Sequence, residues 1–142
     1  MKTKNLISSV IIAIILSLIF ACSKKSESPT EPKNASISGT VICDGFVAGE
    51  DQIMILTATD ASSEEAFISS IVKYIIIHAP GAYTISDLEV GSVLYLHAIW
   101  EKKFEVPGGG EDKGFGQPDI NPVTITKGGV TGIDITITPI VP

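Results

Sequence analysis

The chain has 142 residues, 44% of them hydrophobic, a formal charge of −6 and no arginine. That balance argues against nucleic acid as a partner, because phosphate contacts from basic side chains supply most of such affinity, and it disfavours acidic substrates equally. The length left after the N-terminal 34 residues suits one folded domain able to bury its own core.

Residues 1–21 read as a signal peptide, with Lys2 and Lys4 at the start, an apolar run over residues 6–20 and small Ala21 before Cys22. The run is 15 residues long, short of the roughly 20 that a membrane-spanning helix needs. Its end, Leu18-Ile19-Phe20-Ala21-Cys22, resembles the lipobox of bacterial lipoproteins, with Ile19, Ala21 and Cys22 in the matching places. The resemblance implies that Cys22 becomes the acylated first residue of the mature protein, held on a membrane by two or more chains. Ser23 stands where lipoproteins kept at the inner membrane usually carry aspartate, which implies an outer-membrane address in the bacterial envelope. With Cys22 acylated, Cys43 is the only thiol left and no intrachain disulfide can form. Its two readings are a small buried apolar residue and a reactive or intermolecular thiol.

Residues 22–34 form a tether. They are polar, charged and interrupted by Pro29 and Pro32, so they cannot bury apolar surface. Residues 35–142 form the domain, and there the pattern turns to short alternating runs broken by Gly, Pro, Asp and Asn. Ile37, Gly39, Val41 and Cys43 share one face of a first strand. Residues 52–59 (QIMILTAT) are apolar on both sides, as in a strand well inside a sheet. Over residues 60–70, Ser62 and Glu65 offer a helix-start box before Ala66, Phe67 and Ile68, which leaves room for one short helix or an irregular connection. Residues 71–78 (IVKYIIIH) are a strand, turned by Ala79-Pro80-Gly81, and residues 82–85 are a shorter one. Residues 93–100 (VLYLHAIW) are the strongest strand, covered on much of both sides. Residues 123–126 and 133–138 supply two more, joined through Lys127-Gly128-Gly129, the last with Ile133, Ile135 and Ile137 alternating against Asp134, Thr136 and Thr138.

About seven strands with closely spaced turns predict an all-β fold, a single antiparallel β-sandwich. The runs ISGTV at residues 37–41, GAYTISDL at 81–88, Gly91, the 95–98 run and VTGIDITI at 130–137 resemble the carboxypeptidase regulatory-like, or transthyretin-like, domains of bacterial surface proteins. The resemblance implies a prealbumin-like or immunoglobulin-like sandwich and says little about ligand. Hydrolases with the transthyretin architecture use arginine beside histidines, and this chain has no arginine. His78 and His97 lie on different strands without a nucleophile motif or metal-ligand spacing near them, and read as strand-surface or core residues. The expectation is therefore a non-enzymatic protein.

Residues 101–121 (EKKFEVPGGGEDKGFGQPDIN) read as one long loop without periodicity, and long loops on rigid scaffolds carry binding. Trp100, Phe104 and Phe115 could form a contact platform for a sugar or a protein, although the alternation around Trp100 also places it in the core. Glu101, Glu105, Glu111, Asp112 and Asp119 supply oxygens for calcium, but they lack the spacing of a calcium loop and Lys102 and Lys103 intrude. The expected function is a lipid-anchored accessory or protein-interaction module of the envelope, with a membrane and an envelope protein as partners. The alternative is a lipoprotein that binds a glycan or calcium.

Overall fold

The computed structural model describes residues 34–103 and 109–141. Among the described residues nine elements follow in order: β1 (Asn34–Cys43), β2 (Asp51–Ala58), α1 (Glu64–Ser69), β3 (Ile71–Ile77), β4 (Gly81–Glu89), β5 (Val93–Lys102), β6 (Asp112–Pro118), β7 (Val123–Thr124) and β8 (Ile135–Pro139). The fold is all-β with one short helix, as its alternating runs predict. Strands hydrogen-bond along one path, β3-β2-β5-β6-β8-β1-β4, with β7 paired to β5 off the path. The two end strands, β3 and β4, meet at a seam, so the sheet is a barrel closed except there.

Two details correct the expected sandwich. The strands form one curved sheet rather than two facing ones, and that sheet is mixed, because β8 runs parallel to β1 while every other pairing is antiparallel. The cause lies in the route of the chain after β7. Val130 and Ile133 hydrogen-bond to Ser36 and Ser38 near the beginning of β1, so the chain already runs alongside β1 in the same direction when β8 pairs with its last residues, Val41 to Cys43. The two C-terminal strands consequently do not pair with each other through Lys127-Gly128-Gly129. Tyr83 secures the crossing by donating its hydroxyl proton to the Ile133 carbonyl at 2.5 Å.

The interior is filled by alternate residues of nearly every strand, among them Ile37, Val41, Ile53, Ile55, Ile85, Leu94, Leu96, Ala98, Trp100, Ile135 and Ile137. Leu88 follows Ile85 by three positions, not two, and both are buried. A bulge makes this possible: the pairing with β1 slips between Ala35 and Ile37, and Asp87 takes φ 58°, a conformation aspartate tolerates better than most residues. Lys73 then bridges the seam from β3, donating to the Ser86 carbonyl at 2.7 Å and the Asp87 carboxylate at 3.3 Å. A lysine at this place also blunts an edge that another chain could extend.

The loop expected over residues 101–121 contains a strand, β6. Gly114 and Gly116 conceal it in sequence, since they occupy the inward positions where an apolar residue would signal alternation. Glycine is required there by close approach: a Cβ at Gly116 would lie 2.5 Å from the Thr136 carbonyl oxygen, and one at Gly114 would lie 2.7 Å from that of Thr138. Gly116→Val is expected to lower the unfolding free energy by about 1–3 kcal/mol through overpacking, measured as a reduced urea midpoint. An unchanged midpoint would remove β6 from its place against β8. The helix differs in its start, where Ser63 rather than Ser62 accepts from the Ala66 amide at 3.1 Å, while the Ser62 amide donates to Asp60.

Candidate functional site

Strands β2 and β5 carry apolar side chains on both faces, and only one set enters the core. Met54 and Leu56 of β2, with Tyr95, His97 and Ile99 of β5, face outward. On a barrel the outer face meets water, so such residues need a cover or a partner. Their neighbours are mostly apolar or aromatic: Leu56 pairs with Tyr74 on β3 and His97 on β5, Met54 with Ile76 and Ile99, and Ile99 with Phe115 on β6. Helix α1, in the connection from β2 to β3, supplies part of the cover. Its Phe67 ring stands edge-on to His97 at 5.7 Å, and Phe115 meets the same imidazole at 5.8 Å. Desolvation between these rings pushes the His97 pKa below its ordinary value. Met54 and Leu56 are buried on this face, whereas Ile68 on the helix is 61% exposed, Tyr74 52% and Phe115 38%.

Of the three aromatic contacts predicted from sequence, Phe115 lies on this outer face, and Phe104 falls outside the described residues. Trp100 is 6% exposed, in the core, which corrects its place on a contact platform. Its indole donates to Asp51 Oδ2 at 2.9 Å, Lys113 Nζ donates to Asp51 Oδ1 at 2.6 Å, and the Val47 amide completes the set at 2.9 Å. The Lys113 ammonium also stands 5.4 Å from the Trp100 ring centroid. Burial pushes the Asp51 carboxyl upward, but the hydrogen bonds from Lys113, Val47 and Trp100 outweigh it and hold the pKa below 3.8. This cluster closes one end of the barrel by satisfying a buried charge.

Of the five acids proposed from sequence, the four described ones do not converge on one site. Glu101 is fully buried and accepts from Gln52 Nε2 at 2.6 Å. Glu111 and Asp112 are exposed at the start of β6, and Asp119 lies beyond its far end, roughly 20 Å away at the rise of a strand. Glu105 falls outside the described residues, as does Cys22. Among the described residues, no three histidine, cysteine, aspartate or glutamate side chains converge on a metal-sized site. Cys43 is buried, and burial together with Asp51 and Asp44 pushes its thiol up to about 11, so it is a packing residue rather than a thiolate nucleophile. His78 is exposed at the end of β3.

No protein-family model matches the chain, and neither a curated protein nor a solved structure shows significant similarity to it. The site therefore stands on its own geometry. In the sequence Phe67 reads only as part of a possible short helix and His97 as a strand-surface or core residue, although the double-faced pattern of residues 93–100 already implied that His97 lies on a covered surface. Asp51 and Lys113 gave no such signal, since their pairing joins residues 62 positions apart.

Proposed function

We propose that this chain is a lipid-anchored, non-enzymatic protein of the bacterial envelope, addressed to the outer membrane, whose β-domain is an interaction module for an envelope protein. The observation that carries the reading is the outer face of β3, β2 and β5, where Met54 and Leu56 are buried and Phe67 of helix α1 lies against His97, while Ile68 and Tyr74 stay exposed. Glu64 and Glu65 lie beside Ile68 around a shallow hollow. An apolar contact with an acidic rim fits a partner protein that presents an apolar anchor flanked by basic residues. The anchor at Cys22 rests on the signal layout and the lipobox resemblance. The likeness of residues 37–41 and 81–88 to carboxypeptidase regulatory-like domains favours the same envelope setting.

Photocrosslinking in native membranes tests the module. A benzophenone amino acid in place of Tyr74 is expected to give one discrete adduct, and the same group in place of Asp119 none. Identical adduct patterns from both positions, or no adduct from Tyr74, would overturn the reading. The anchor has its own test: Cys22→Ala is expected to abolish incorporation of labelled palmitate and release the protein from the membrane fraction. Label retained in that variant would refute lipidation at Cys22.

A further inference from the structure

Beyond His97, on the side of β6 and β8, the outer face changes chemistry. A groove of about 280 Å3 is lined by His97, Phe115, Gly116, Gln117, Thr136 and Thr138. Thr138 lies across from Phe115, and Thr136 across from Gln117, so an aromatic ring, an amide and two hydroxyls share a short stretch of surface. Among the described residues no hydrogen bond engages the two threonine hydroxyls or the imidazole nitrogens. The Gln117 Oε1 accepts from Asn121 at 3.2 Å, which leaves its Nε2 donors for a ligand. No ionised side chain lines the groove, and the desolvated imidazole is neutral near pH 7.

We propose that this groove binds a neutral carbohydrate, with a sugar ring packed by its C–H face on Phe115 and its hydroxyls bonded to Gln117, Thr136, Thr138 and His97. A sugar has an apolar face and a rim of groups that both donate and accept. The groove offers the complement: hydroxyls that do both, an amide that donates, and a neutral imidazole with one nitrogen of each kind. An anion would find no cation here, and a wholly apolar ligand would leave these polar groups unpaired at a cost. A peptide seeking to extend the sheet would find no free edge, because β6 and β8 are each paired on both sides. The volume lies below the roughly 300–1,000 Å3 of enclosed small-molecule pockets, which suits one ring of a longer chain and an affinity near about 1 mM.

The site goes beyond the protein-partner reading and uses neither Ile68 nor Tyr74. The test uses the full-length lipidated chain in detergent micelles with labelled threonine methyls. It is titrated with a neutral hexose oligomer, an N-acetylhexosamine oligomer and a uronic-acid oligomer. Saturable shifts at Thr136 and Thr138 are expected with a neutral oligomer and not with the acidic one. The hexose and N-acetylhexosamine arms separate an external polysaccharide from cell-wall glycan as the source. Phe115→Ala is expected to weaken binding roughly tenfold, Thr138→Val to weaken it by removing a hydroxyl at constant shape, and Ile68→Ser to leave it unchanged. Phe115 and Thr138 are exposed, so both variants should retain the wild-type circular dichroism spectrum. Absent shifts with every sugar at its solubility limit, equal binding of the acidic oligomer, or undiminished affinity in both groove variants would overturn the proposal.

Discussion

Ile135→Asp leaves the β-domain unfolded at 25 °C, while Thr136→Asp, one residue further on, folds. Ile135 is completely buried and sits where the sheet is stitched from both sides, opposite Pro118 on β6 and Val41 on β1. Losing its burial costs about 1.5–3 kcal/mol. An unpaired carboxylate in the barrel interior adds several kcal/mol more, whether it stays ionised or takes up a proton. A domain of this size has only about 5–15 kcal/mol to lose. Thr136 faces outward and is exposed, so a carboxylate there stays in water. Far-UV circular dichroism during heating distinguishes the two. A cooperative wild-type melt from Ile135→Asp would show that β8 presents its other face to the core.

Lys113→Met lowers stability at pH 7 by about 3 kcal/mol, because it leaves a buried carboxylate without its counter-charge. The Asp51 side chain is wholly buried while that of Lys113 is 31% exposed, so removing the lysine leaves a carboxylate that cannot reach water in place of its lost counter-charge. The pH dependence identifies the mechanism. The folded-state pKa of Asp51 is depressed below 3.8, hence its contribution is fully present above the unfolded value and is lost as pH falls through the folded one. In Lys113→Met the ammonium that helps Val47 and Trp100 offset desolvation is gone, so Asp51 protonates at higher pH and acid unfolding begins earlier. The difference from wild type, read as urea midpoints, should be large at pH 7 and shrink once Asp51 is protonated in both proteins. A difference independent of pH would mean that only the packing of the lysine stem against Trp100 had been lost.

Trp100 shows why a contact site was hard to read from the chain alone. A tryptophan at the end of an apolar strand beside a long, acid-rich segment has the composition of a binding platform, and its alternation with Leu96 and Ala98 has equally the pattern of a core residue. Asp51 decides between them, because it takes up the indole N–H at the barrel end and is 49 positions away in sequence. Strand β6 was lost for a related reason. Its inward residues are glycines, so the period-two hydrophobic signal vanishes where the neighbouring backbone comes closest. The groove under Phe115 depends on that concealed strand, since Phe115 and Gln117 acquire their threonine partners only when β6 pairs with β8.

What the sequence determined by itself is local. Alternation over residues 37–43 and 133–138 and β-branched density over 71–78 are enough to specify strands, because side chains on successive strand residues point to opposite faces. The signal layout proposed to end at Cys22 likewise rests on one short stretch of sequence. The tertiary structure alone decided which strands are neighbours, that β8 lies parallel to β1, that a lysine on β6 neutralises the aspartate opening β2, and that Phe67, His97 and Phe115 stand in one row. Those facts depend on the path of the chain between strands, and pairing energy is much the same for many registers until the two faces of each strand are sorted into core and surface.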